Sequence, residues 1–319
     1  MIIDLPDTTV SAISKALVTI REDGGAVALG RVLTLIVSTT PEKMEDAIAA
    51  ANDASSEHPM RVIVVAAPDG DDSAAGGEAS RLDCQIRVGG DAGASEVIIL
   101  HAYGETAGDE ESLVMGLLLP DAPVVVWWLG AWPDHAARSS LGAIATRRIT
   151  DSASQPDPQA ALLKLASTYT PGDTDLAWTR LTPWRSQIAA ALDQPPYEPV
   201  TSAEVSGAKT SPSTELFAAW LQLQLGVPVA CKLDYDNQGF GGIHYVSLTR
   251  SSGETRLERV QAGVAKLTQP GQPDHEIALP RRSLRECLAE ELRHLDPDEV
   301  YGAVIVDGLP QVVAAQVRA

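Results

Sequence analysis

Apolar residues recur at Val10, Ile13, Leu17 and Ile20 along "TTVSAISKALVTIRED", intervals of three and four that predict an amphipathic helix with Asp7 or Thr8 as its cap. After a glycine pair the period changes. "RVLTLIVST" is a short run rich in branched residues and predicts a buried strand. Pro41 then opens "PEKMEDAIAAANDASSEH", whose acidic first turn and alanine-rich body predict a helix starting at the proline. "MRVIVVAA", "LDCQIRV", "EVIILHAY" and "APVVVWWL" follow as strands. Between them lie a polar, glycine-rich loop at 68–78 and a helix around Glu110 to Leu119, and "PQAALLKLAS" adds a further helix. Continuous apolar runs suit a sheet covered on both faces, so the first half is expected to be a layered α/β domain with a mixed or mostly parallel sheet.

The pattern shifts near Gln194. "QPPYEPVTSAEVSGAKTSPS" has the proline-rich, small polar composition of a linker and precedes the helix "STELFAAWLQLQLG". The expected division is an N-terminal α/β domain over 1–193, a linker over 194–212 and a C-terminal domain over 213–319. In the last part "VACKLDY", "GIHYVSLTR", "TRLERVQ", "GVAKLTQ" and "HEIALP" read as strands, with "SSGE" as a hairpin turn and "RSLRECLAEELRHL" as a helix. Strands in series followed by helices predict a smaller α+β domain with antiparallel strands.

Charge narrows the choice of partners. The chain has 319 residues, with 43 acidic against 24 basic side chains and a formal net charge of −19. Such a field repels nucleic-acid phosphates and anionic lipid, so neither is an expected partner, although a few arginines can still hold one phosphate or carboxylate. "MIIDLPDTTV" lacks a basic segment leading into an apolar one, and no run approaches the roughly 18 apolar residues of a membrane span, so a cytoplasmic location is expected. Cys84, Cys231 and Cys287 are widely separated and are expected to be reduced structural thiols. The six scattered histidines show no metal-ligand spacing, and neither a metal nor a cofactor is expected.

Five of the six tryptophans fall between Trp127 and Trp184, which marks two segments as candidate chemistry. In "VVVWWLGAWPDH", adjacent indoles on a strand point to opposite faces, so one can pack on the core while the other reaches a rim. In "DTDLAWTRLTPWRSQIAAALD", Thr182 and Pro183 mark a junction between two helical pieces, and Trp184, Ile188 and Leu192 share a face. Trp184 is then either core or contact. Arg180 and Arg185 either stack and pair within the chain or grip an anion. The candidate partner-binding set is Trp128, Trp132, Trp178, Arg180, Trp184 and Arg185, because indoles and arginines are over-represented at interface hot spots.

"NQGFGGIHYV" matches no phosphate-binding fingerprint and leads into a strand, so a hairpin turn is expected there, with no helix N-terminus awaiting a phosphate. His58, before Pro59, reads as a helix-end residue. No nucleophile elbow and no serine, histidine and acid set with suitable spacing is present, so no catalytic residue is assigned.

"MIIDLPDTTVSAISKAL", "GGAVALGRVLTLIV", "EHPMRVIVV", "LLLPDAPVVVWW" and "DTDLAWTRLTPWR", in this order, resemble the glucose-6-phosphate dehydrogenase assembly protein family, OpcA, of actinobacteria and cyanobacteria. The resemblance implies a non-catalytic partner of glucose-6-phosphate dehydrogenase, an NADP-dependent enzyme of the oxidative pentose phosphate pathway. That partner would promote the enzyme's assembly or active state. The link of cyanobacterial members to thioredoxin-dependent control departs from this sequence, whose three cysteines form no evident pair. The competing reading is a sensor or enzyme that binds a sugar phosphate or nucleotide in the cleft of the α/β domain. A third is a scaffold whose tryptophans are all core and whose contact surface lies elsewhere.

Overall fold

The computed structural model describes residues 1–23, 30–66, 79–89, 96–195, 197–234 and 241–318. The loop expected at 68–78 and residues 237–240 of "NQGFGGIHYV" lie outside these. The chain forms two compact units that are not contiguous in sequence. The first takes Met1–Asp151, Gly172–Thr174 and Leu284–Pro297, and the second takes Ser152–Pro171, Asp175–Ser283 and Asp298–Ala319.

The first unit is built on a mixed sheet. Its strands are β1 (Ile2–Leu5), β2 (Leu33–Thr39), β3 (Met60–Ala66), β4 (Arg81–Val88), β5 (Glu96–Tyr103), β6 (Val124–Leu129), β7 (Arg147–Thr150) and β8 (Asp173–Asp175), in the order β1-β4-β5-β3-β2-β6-β7-β8. From β5 through β3, β2 and β6 to β7 every pairing is parallel, while β1 and β4 add an antiparallel edge. All residues of β3 and β6 are buried, as expected of strands covered on both faces. Near the sheet's edge, β4 instead alternates buried with half-buried positions. Ile36, Ile63, Ile98 and Val126 from the sheet meet Ile13 and Leu17 of the Val10–Asp23 helix in one core.

The helix expected to open at Pro41 begins at Met44, after a turn in which the Lys43 amide donates to the Thr40 carbonyl. The segment 284–297, expected in the C-terminal domain, joins this first unit. Its Leu284–Glu291 helix packs on the Met44–Ser55 helix, Arg285 pairs with Asp53 at 2.7 Å and Arg293 with Glu57 at 2.8 Å. The stronger tie is buried. Arg147 on β7 donates through Nε to Glu291 at 3.0 Å and through Nη1 to the Asp296 carbonyl at 2.7 Å.

The second unit carries β9 (Ser202–Ala208), β10 (Val229–Asp234), β11 (Ile243–Arg250), β12 (Gly253–Gln261), β13 (Val264–Thr268) and β14 (His275–Ala278), in the order β10-β9-β11-β12-β13-β14. All neighbours are antiparallel except β9 and β10, which are parallel and are joined through the Pro212–Leu225 helix. The stretch expected to be a linker, 194–212, therefore includes an interior strand, β9. Its small residues serve close packing. A Cβ on Gly207 would lie 2.2 Å from Thr214 Oγ1, so only glycine lets β9 meet the start of that helix. The expected hairpin at "SSGE" is present, with Arg250 opposite Gly253. The turn expected in "NQGFGGIHYV" is not a hairpin between neighbours, because β9 lies between β10 and β11.

Truncating a buried ion pair leaves the remaining charge without compensation, at a cost of roughly 3–5 kcal/mol. Glu291→Ala is accordingly expected to lower the denaturation midpoint of the first unit, measured by tryptophan fluorescence in urea, far more than Asp53→Ala at the exposed pair.

Candidate functional site

The six residues expected at a partner surface fall in different units. Trp128 and Trp132 belong to the first; Trp178, Arg180, Trp184 and Arg185 belong to the second. Trp127 and Trp128 do alternate across β6, but both faces are covered and both rings are buried, Trp128 at 3% exposure within the core. Trp132 is half-buried against that same core.

In the second unit, Trp178 and Trp184 are exposed by only 1% and 5%. Trp178 donates from Nε1 to Asp298 at 2.8 Å and lies 5.8 Å from the Tyr301 ring. Trp184 meets Phe217 edge-on at 6.2 Å, and Phe217 stacks on Trp220 at 5.7 Å. Arg185 lies 3.8 Å over the Trp178 ring and donates to Thr182 Oγ1 at 3.1 Å, so its cation is engaged in packing. Trp178 and Trp184 are thus packed within the unit, because large rings at helical spacing bury their area.

Arg180 differs: it lines an open cleft of 460 Å3 together with Trp184, Arg259, Arg281 and Arg282. No described lining residue is acidic. Arg259, on β12, is only 5% exposed. Its Nη1 donates to the Leu279 carbonyl at 2.8 Å, its guanidinium carbon lies 5.5 Å from the Trp184 ring, and its Nε has no acceptor among the described residues. Burial holds the Arg259 pKa below its ordinary value, and the nearby charge of Arg281 acts in the same direction. Arg282 is held by a bond from Nη1 to the Thr179 carbonyl at 3.1 Å.

Two backbone features complete the cleft. Ser211 and Ser213 bring the start of the Pro212–Leu225 helix to its wall. Gly241 and Gly242, with φ of +56° and +64°, form another part, and the Gly242 carbonyl accepts from the Ala208 amide at 2.8 Å. A helix N-terminus therefore does stand beside these glycines. It comes from an earlier element, which the local sequence around Phe240 does not reveal; the cleft was missed for this reason.

Two family models match the chain, and both are described by a domain of a glucose-6-phosphate dehydrogenase subunit. The model of the N-terminal domain covers residues 51–167, and the model of the C-terminal domain covers residues 171–305. The chain belongs to the OpcA family. No curated protein sequence matches it. Among solved structures, an NAD binding oxidoreductase from Klebsiella pneumoniae is similar at 10% identity and a TM-score of 0.46, covering 90% of this chain and 97% of its own. Myo-inositol dehydrogenase from Lactobacillus casei is similar at 10% identity and a TM-score of 0.44, covering 90% and 95%. Likeness at this level carries nothing about chemistry.

In this OpcA family member the described thiols are free and none is disulfide-bonded. Burial pushes Cys84 and Cys231 up to about 12, so neither is a thiolate at neutral pH. Among the described residues no group of three or more histidine, cysteine or carboxylate side chains is placed to hold a metal ion. No helix there is long and apolar enough to cross a membrane.

One carboxyl in the second unit stands apart. Glu215, on the Pro212–Leu225 helix, is 5% exposed, and burial raises its pKa from 4.5 to about 7. A raised carboxyl pKa favours folding fully below about 4.5, and this contribution is lost as pH climbs through about 7. Glu215→Gln carries no such charge. Its stability relative to the parent chain, from urea denaturation, is expected to rise by roughly 2–3 kcal/mol between pH 5 and pH 8.

Proposed function

We propose that this chain binds glucose-6-phosphate dehydrogenase as a non-catalytic partner and favours its active oligomer. The observation that carries this reading is the pair of family matches, which together span most of the chain and are both described as a glucose-6-phosphate dehydrogenase subunit. A partner of this kind shifts its client only by binding one quaternary state better than another, so the contact must discriminate shape. Within the expected set, Trp132 in the first unit and Arg180 in the second are half-buried, and we assign contact to them ahead of the buried Trp128, Trp178 and Trp184. Arg185 acts through Trp178, so its replacement changes packing before it changes recognition.

Charge supports the same reading. A chain at −19 steers toward a basic patch on its client and accelerates encounter at low salt. The role places the protein at the entry to the oxidative pentose phosphate pathway, in the cytoplasm.

Mixing the purified chain with the dehydrogenase is expected to give co-elution on size exclusion and higher turnover than the dehydrogenase alone. The absence of both co-elution and a gain in turnover would overturn the proposal. The association rate, from stopped-flow fluorescence, is expected to fall several-fold as the ionic strength rises from about 0.05 M to about 0.5 M; a flat response would remove steering by charge.

A further inference from the structure

We propose that the arginine-lined cleft of the second unit binds a phosphorylated sugar or polyol through its phosphate group. The assignment is independent of the dehydrogenase reading and rests on the charge, burial and shape of this one recess.

Four guanidinium groups, from Arg180, Arg259, Arg281 and Arg282, converge here in a chain whose net charge is −19. Arg259 is the decisive group. It is buried, keeps an Nε without an acceptor among the described residues, and has Arg281 as a like-charged neighbour. A buried cation left partly unsatisfied beside a second cation is costly, and an anion held in the cleft offsets the repulsion between them. Arg281 is exposed, and no described carboxylate pairs with it. Its guanidinium lies over Gly241 and Gly242, with Nη2 2.9 Å and 3.0 Å from where their Cβ atoms would be. Any side chain at Gly241 would push it away.

Another part of the lining adds positive potential without side-chain charge. Ser211 and Ser213 mark the first turn of a 14-residue helix, whose N-terminal end favours an anion. Several guanidinium donors and a helix end suit a group of charge near −2 with three oxygens better than a carboxylate with one charge and two oxygens. The cleft, at 460 Å3, is larger than a phosphate requires, and the small polar residues Thr210, Ser211 and Ser213 line it. Trp184 is too buried to offer a ring face for base stacking. A hydroxylated phosphate ester therefore fits better than a nucleotide.

Isothermal titration of the full-length chain with glucose 6-phosphate, inorganic phosphate and glucose tests this at low ionic strength. Saturable binding of glucose 6-phosphate, weaker binding of phosphate and none of glucose are expected. Arg281→Ala is expected to weaken glucose 6-phosphate by about tenfold or more, the loss of one charged hydrogen-bonding partner. The same variant should melt at or above the parent temperature without ligand, because it relieves repulsion on Arg259. Gly241→Ala, which keeps every charge but displaces Arg281, should weaken the ester as well. Arg285→Ala, on the first unit, removes the same charge and should leave binding unchanged. The proposal is overturned if glucose 6-phosphate does not saturate, if phosphate binds as tightly as the ester, or if Arg281→Ala and Arg285→Ala weaken binding equally. No dehydrogenase enters the titration, so its failure leaves the partner reading standing.

Discussion

The second unit is arranged around the burial of one helix. From Pro212 through Ala219 every side chain of the Pro212–Leu225 helix is buried, which demands close neighbours on all sides. Gly207 supplies one such approach and Gly308 another, where an added Cβ would lie 3.1 Å from the Ala219 carbonyl. Phe217 transmits the packing to Trp184, and Trp184 to Arg259. The helix also accounts for Glu215, since a carboxyl surrounded by this packing favours its neutral form. The constraint that fixes the fold thus also sets the positions of the groups around the cleft.

The first unit follows a different rule. A largely parallel sheet covered on both faces leaves no rim for the paired indoles of β6, so each ring contributes packing and neither is free for recognition. Its buried arginines sit in close pairs. Arg61 on β3 meets its register neighbour Glu96 on β5 at 2.7 Å and also donates to the Leu117 carbonyl, and Arg147 meets Glu291. Such pairs compensate one another's charge. Arg259, with a cation for a neighbour, stands in contrast to them.

Electrostatics acts on two scales in this protein. Averaged over the chain, the excess of acid makes the long-range field negative. Within the cleft, four arginines and a helix end make the local field positive. Both can hold at once because water and salt screen distant charge far more than they screen groups within a recess. An acidic protein can therefore carry a recess of positive potential.

Much of the secondary structure was legible in the sequence. Apolar runs such as "MRVIVVAA" and "EVIILHAY" gave their strands, the interval of Val10, Ile13 and Leu17 gave its helix, and "SSGE" gave its turn, because period and turn chemistry are local properties. The family was legible too, in blocks of sequence spread along the chain. Only the tertiary structure decided that 284–297 joins the first unit, that the supposed linker holds β9, and that most of the tryptophans are core. It alone also brought Arg180, Arg259, Arg281, Gly241 and the start of the Pro212–Leu225 helix to one recess. Their convergence depends on β9, β11 and β12 lying side by side beneath a crossing helix, and no pattern within a short window records which distant segments a fold makes adjacent.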